Sequence, residues 1–154
     1  SFDKVMDVNV KGVFLCCQII GKVMAQQKNG TIINISSIYG LVSPRQDIYD
    51  FRRKDGNQFF KPIAYSVSKS SLYNLTRYLA TYWAHNGVRS NTLCPGGVFT
   101  DQPDDFVEKV SKLIPLGKMA NNNDYKGAIQ FLCSEASSYM NGATLVIDGG
   151  RTIW

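Results

Sequence analysis

The sequence predicts an α/β fold, a Rossmann-like, doubly wound parallel sheet that here lacks its first strands. Two observations predict it. Short apolar, β-branched runs alternate with helical patterns, in the order strand, helix, strand, helix, strand, and that spacing calls for crossover units between parallel strands. The runs also lack strict apolar–polar alternation, as strands do when both their faces are covered.

The elements follow in order. Phe2 to about Gln27 carries apolar residues at helical spacing, Val5, Val8, Val13, Ile19, Ile20 and Met24 among them, and Asn29-Gly30 stops it. Thr31-Ile32-Ile33-Asn34-Ile35-Ser36 reads as a buried strand. Gly40 to Ile63 is irregular, polar and basic, with Pro44 and Pro62 near its ends. Ala64 to about Ala84 is a second long helix, ended by Asn86-Gly87. Val88 to Leu93 is the next strand, closed by Pro95-Gly96-Gly97. Asp104 to Leu113 and Asn123 to Ser134 are short helices, the second with N-cap candidates at Asn121 to Asn123. Ala143 to Ile147 is the last strand, ended by Asp148-Gly149-Gly150.

The chain has 154 residues, the scale of one domain, and an ordinary globular balance of apolar and charged residues. It starts at a serine inside a helical pattern, and no Gly-rich phosphate turn occurs in it. We therefore expect residues 1–154 to be the carboxy-terminal part of a single domain. No apolar run is expected to span a bilayer, and no secretory leader is recognisable. Cys16, Cys17, Cys94 and Cys133 show no C-x-x-C spacing, which fits a reducing cytoplasm better than a zinc or redox motif. His85 follows an aromatic helix end and reads as a surface or capping residue. The formal charge of +5 comes without any nucleic-acid-binding signature. We expect neither a nucleic-acid nor a membrane partner.

The chemistry concentrates in Tyr65-Ser66-Val67-Ser68-Lys69. Four residues are one helical turn, so the phenol and the ammonium share a face. A free tyrosine ionises near pH ~10, and a fixed positive charge beside it favours the phenolate. The pair is a candidate general acid/base; an exposed polar pair on a helix is the alternative. Ser36 and Ser37 end the first strand, as candidate hydroxyl donors or as ordinary turn residues. Asn9 is a poor mid-helix choice, which points to a role. Pro95-Gly96-Gly97 is a turn at least.

Taken together these segments resemble the short-chain dehydrogenase/reductase family over almost the whole chain. The similarity lies in Asn9 within Asp7-Val8-Asn9-Val10-Lys11-Gly12, in Asn34-Ile35-Ser36-Ser37 followed by Gly40, in Tyr65-x-x-x-Lys69, and in Asn91-x-x-x-Pro95-Gly96-x-Val98-x-Thr100. The ending from Gly142 to Gly150 is similar as well. The resemblance implies an NAD- or NADP-dependent oxidoreductase that interconverts a secondary alcohol and a ketone. It implies that Tyr65 moves the substrate proton, Ser37 holds the carbonyl oxygen, and Lys69 tunes Tyr65 and touches the nicotinamide ribose. It gives Asn9 an ordered water that links Lys69 to solvent. Pro95 and Gly96 would lie beneath the nicotinamide, with the Val98 main chain and Thr100 at its carboxamide. It implies a homodimer or homotetramer; the excess of large apolar residues on the helix from Ala64 fits a second packing face.

One segment departs from the family pattern. About Val42 to Pro62 is an insert carrying Arg45, Arg52, Arg53, Lys54 and Lys61 with Tyr49, Phe51, Phe59 and Phe60. Either it covers the substrate and its cations, Arg52 and Arg53 first, meet a phosphate or carboxylate, or it is a surface loop or subunit contact. Together with Ser36 to Val42 it resembles a subgroup found in bacterial sugar and flagellin-modification pathways, whose members also include 3-oxoacyl carrier-protein reductases. A sugar or sugar-phosphate carbonyl is the first expectation and an acyl thioester ketone the second. A noncatalytic binding subunit of the same fold is the rival reading.

Overall fold

The computed structural model describes residues 1–154. Its sheet has three parallel strands in the order β1 (Gly30–Ile35), β2 (Val88–Pro95), β3 (Thr144–Ile147). Gly30 pairs with Val88 and Ile35 with Leu93, while Thr92 pairs with Thr144 and Pro95 with Ile147. All three strands therefore deliver their carboxy ends to one side, where an open α/β sheet places its ligands. The outer edge of β1 is unpaired.

The first helical stretch is α1 (Phe2–Met6), a π-helical segment at Asp7–Gly12, and α2 (Val13–Gln27). The sequence shows a helix here but not the π segment, which is centred on Asn9. Single π turns inside α-helices often mark functional positions. By length and mean hydropathy (26 residues, 1.4) this stretch is apolar enough to cross a bilayer. That corrects the expectation that no run is. Its composition has another explanation: Cys17 and Gly21 are buried against the rest of the fold, while Phe14, Ile19, Ile20 and Val23 lie exposed. The buried side of the helix is therefore narrow and its apolar residues extend well beyond it.

The central helix is α3 (Ile63–Tyr82). Ala64, Ser68, Leu72, Thr76 and Ala80 recur every fourth residue and are buried, with Tyr73 and Leu79 beside them. This stripe packs on β2 and closes two apolar clusters, one of Cys17, Leu79, Trp83 and Val88, the other of Ile38, Tyr73 and Cys94. Ile63, Val67, Tyr78 and Tyr82 on the same helix stay exposed.

The strands are less apolar inside than the sequence suggests. Asn34, Ser90, Asn91 and Thr92 are all buried. Most of their polar atoms are paired. The Asn34 amide donates to Thr76 Oγ1 at 2.9 Å, and the Thr92 hydroxyl donates to the same oxygen at 2.8 Å. Asn91 donates to the Met140 carbonyl and accepts from the Ala143 amide, joining β2 to the approach of β3. Such pairing removes most of the desolvation cost of a buried amide or hydroxyl.

The insert is ordered around a 3-10 segment, Gln46–Arg52, in which Ile48 and Tyr49 are buried. It packs on α4 (Asp104–Lys112): Tyr49 and Phe51 each lie within 6 Å of the Phe106 ring, at 5.7 and 5.5 Å between centroids. After α4 a 3-10 turn at Asn122–Tyr125 leads into α5 (Lys126–Cys133). Asn121 caps it as expected, in a reciprocal capping box with Asp124.

Candidate active site

The site is built where β1 ends. Ser36 and Ser37 follow the strand, and their roles divide clearly. The Ser36 hydroxyl donates to the Lys69 carbonyl at 2.7 Å and is buried, so it anchors the strand end to α3. Ser37 Oγ accepts from the Tyr39 amide at 3.2 Å, capping the 3-10 turn Ile38–Gly40, and its side chain lines a cavity. The Ser37 carbonyl accepts from the Tyr73 hydroxyl at 2.8 Å. Gly40 explains itself by proximity: a Cβ there would stand 2.8 Å from the Tyr73 ring and 2.9 Å from the α3 backbone at Lys69. The turn can seat Ser37 against α3 only without a side chain at position 40.

The cavity measures about 320 Å³, within the range of small-molecule sites. Ser37 and Tyr65 both line it, as do Gly96, Gly97 and Val98 from the turn after β2. The alcohol and the phenol singled out in the sequence thus face one space. Lys69 does not line that space. Its ammonium donates to the Ile35 carbonyl at 2.9 Å, at the unpaired edge of β1, where burial depresses its proton affinity. The expected trio is therefore a pair in one cavity with the amine reaching around the strand end.

Asn9 also differs in detail from expectation. Its amide donates to Ser68 Oγ at 3.0 Å, and Ser68 Oγ donates to the Tyr65 carbonyl at 2.8 Å. Its direct link runs to the backbone of the Tyr65 turn, one residue before Lys69.

The turn after β2 presents bare backbone. The Gly96 amide donates to the Ile147 carbonyl at 2.8 Å, and a Cβ on Gly96 would meet Asp148 Cα at 2.8 Å. The Val98 carbonyl accepts from the Gln102 amide at 2.8 Å, whereas its N–H has no partner within the chain. Thr100 is exposed and outside the cavity, with its N–H donating to Gln102 Oε1. Gly96 and Val98 line the cavity, whereas Pro95 and Thr100 do not.

Several cavity residues were not singled out by sequence for this place. Tyr49 donates to the Tyr39 hydroxyl at 3.2 Å, and burial pushes both phenols above the ordinary tyrosine value. Lys61 lies over the rings of Tyr49 and Tyr65, at 5.6 and 5.0 Å from their centroids. Arg151 lines the cavity from beyond the Gly149-Gly150 turn, and no pattern near it gives a signal. The two arginines first expected to act do not reach it. Arg53 pairs with Asp50 at 3.7 Å, and Arg52 lies 4.5 Å above the Phe59 ring. Their sequence position in a basic insert says nothing of which cation turns inward.

Parallel strands joined by crossover helices, with a cavity at the strand carboxy ends, define an open α/β domain. The chain belongs to the short-chain dehydrogenase/reductase family, and the family model described as enoyl-(acyl carrier protein) reductase matches residues 1–152. It is 34% identical to galactitol 2-dehydrogenase (L-tagatose-forming) of Cereibacter sphaeroides over 160 residues, covering 100% of this chain and 58% of that protein. A short-chain dehydrogenase from Leptospira borgpetersenii with bound NAD+ superposes with a TM-score of 0.88 at 37% identity, over 98% of this chain and 56% of the other. A gluconate 5-dehydrogenase from Burkholderia cenocepacia in complex with NADP and tartrate superposes at 0.84 with 28% identity, over 99% and 56%. The chain thus spans little more than half the length of these relatives.

Proposed function

We propose that the protein is an NAD- or NADP-dependent oxidoreductase that interconverts a secondary alcohol and a ketone. The observation that carries this is the shared cavity of Ser37 and Tyr65 beside the bare Gly96–Val98 backbone. The residues fit a nicotinamide: Gly96 and Gly97 leave room, and the Val98 N–H, without a partner in the chain, would be free to donate to its carboxamide. Pro95, Gly96, Val98 and Thr100 would hold the nicotinamide side, with Tyr65 and Lys69 at its ribose. The cofactor supplies or accepts the hydride.

The protein's own residues manage the proton and the field. The Tyr65 hydroxyl gives its proton to the oxygen of a ketone as that oxygen gains charge, or takes it back from the alcohol. The Ser37 hydroxyl donates to the same oxygen, stabilising charge that is largest in the transition state. Lys69 adds positive charge on the α3 turn that carries Tyr65. Asn9, through Ser68, holds that turn in position and lies on a proton route to solvent.

Two substrate readings follow. A sugar or sugar phosphate is supported by the polyol and aldonate dehydrogenases among the relatives and by the insert's resemblance to a sugar-modification subgroup. A 3-oxoacyl thioester is supported by the family description and by the apolar residues that make up most of the cavity wall. A noncatalytic role would not require Asn9, Ser37, Tyr65 and Lys69 together. The exposed Tyr78 and Tyr82, stacked with centroids 5.7 Å apart, and the exposed face of α2 support a homodimer or homotetramer. A cytoplasmic location accords with four unpaired cysteines.

The test is nicotinamide absorbance on a panel of polyols, ketoses and 3-oxoacyl thioesters with the full-length protein. Turnover that Tyr65→Phe abolishes is expected. Turnover undiminished by that change would overturn the acid/base assignment, and absence of both turnover and nicotinamide binding would overturn the enzyme reading.

A further inference from the structure

Two cations of the cavity have nothing to neutralise them. The wall contains no aspartate or glutamate. Lys61 is half-buried, and its ammonium makes no ion pair, whereas Arg45 pairs with Asp47 at 2.7 Å and Arg53 with Asp50 at 3.7 Å in the same insert. Burial, then the nearby Arg52, lowers the proton affinity of Lys61. Arg151, also half-buried, makes no ion pair either. Asp148, three residues earlier, is committed to its own turn, accepting from the Gly150 and Thr152 amides and from the Thr152 hydroxyl. Lys61 lies over the rings of Tyr49 and Tyr65, Tyr49 is hydrogen-bonded to Tyr39, and Arg151 lines the same cavity wall as these tyrosines.

Most of the remaining wall is hydrocarbon, including Ile48, Phe106, Val110, Ile114 and Met119. A polyol held there would leave hydroxyls against apolar surface, and each buried unpaired hydroxyl weakens binding. An anionic group would instead relieve the cost of two like charges confined in a half-dry cavity.

We propose that the site selects an amphipathic anion: a hydroxy or oxo compound whose carboxylate or phosphate pairs with Lys61 and Arg151 while its remaining body is apolar. This rests on the reading of Ser37 and Tyr65 as the carbonyl-binding pair, which shares one cavity wall with the two cations. Lys61 comes from the insert, so the insert supplies substrate charge recognition through its last residues and not through Arg52 or Arg53.

Calorimetric titration of the full-length protein tests it with four probes that vary charge and polarity separately: 3-hydroxyhexanoate, its methyl ester, sorbitol 6-phosphate and sorbitol. Nicotinamide cofactor is titrated first and kept saturating. Failure to bind cofactor sinks the dehydrogenase reading. Bound cofactor without any preference for charged probes sinks only the present one. The hydroxy acid should bind at least ten-fold more tightly than its ester and than sorbitol. Tighter binding of sorbitol 6-phosphate than of the hydroxy acid would overturn the apolar half of the proposal. Lys61→Gln and Arg151→Gln should each reduce the acid-over-ester preference about ten-fold, with Arg53→Gln leaving it intact. A preference that persists in both variants would overturn the assignment of the two cations.

Discussion

The Tyr73 hydroxyl donates to the Ser37 carbonyl at 2.8 Å and lies 2.9 Å from Cys94 Sγ. One buried phenol thus ties the end of β1 to α3 and to β2, and fixes the main chain of Ser37, which lines the cavity. Tyr73→Phe keeps the ring and removes the bond. It should cost about 1–3 kcal/mol, because a buried carbonyl loses its donor, and should lower kcat as Ser37 loosens. Chemical denaturation beside steady-state kinetics would check both; unchanged stability would mean that the carbonyl has another partner.

Gly40→Ala should be as damaging from the other side. Its Cβ would stand within 3 Å of the Tyr73 ring and of the α3 backbone at Lys69 and Ser70. Backbone cannot move aside as a flexible side chain can, so overpacking of about 1–3 kcal/mol is expected, read as a lowered melting temperature. A stability equal to that of the parent would show that the turn sits farther from α3.

Lys61 should carry a stability cost in exchange for its position. Its folded-state proton affinity lies below that of an ordinary lysine, from burial first and Arg52 second. The unfolded chain therefore binds this proton more tightly. The cost is fully present below the folded value and disappears as pH rises past the ordinary lysine value of ~10.4. Lys61→Met should raise the melting temperature at neutral pH, and its advantage should shrink as pH approaches that value. A pH-independent difference would assign the effect to packing.

Asn9→Ala removes the donor to Ser68, whose own hydroxyl holds the Tyr65 carbonyl. We expect kcat to fall about ten-fold, less than the ~10²–10⁴-fold that a general acid/base itself contributes, with cofactor affinity little changed. Far-ultraviolet circular dichroism would establish that the helix survives. Wild-type kcat would make Asn9 a packing residue only.

Much of this was legible in the sequence for identifiable reasons. The helices and strands announced themselves because Ile32-Ile33 and Leu145-Val146-Ile147 are β-branched or apolar runs, and because Leu72, Leu75, Tyr78, Leu79, Tyr82 and Trp83 make the helix from Ala64 rich in apolar and aromatic residues. Ser37 and Tyr65 could be paired through the family resemblance, Ser37 by its spacing to Gly40, and both line one cavity. Other features could not be read. The buried polar links of Asn34, Thr76 and Thr92 join residues far apart in the chain, and no local pattern encodes them. The π segment around Asn9 left only the oddity of an asparagine inside a helix. Arg151 reaches the cavity because the Asp148 turn points it there. Among five basic residues of the insert, the inward one is chosen by tertiary contacts with Tyr49 and Tyr65.

The central claim is that the Tyr65 hydroxyl carries the proton while the surrounding backbone holds the cofactor. Single-turnover hydride transfer in Tyr65→Phe, measured beside the dissociation constant for the nicotinamide, tests it most directly. The account predicts a loss of hydride transfer of about 10²–10⁴-fold with cofactor affinity close to that of the unmodified protein. Hydride transfer at the parent rate in a variant that binds cofactor normally would contradict it.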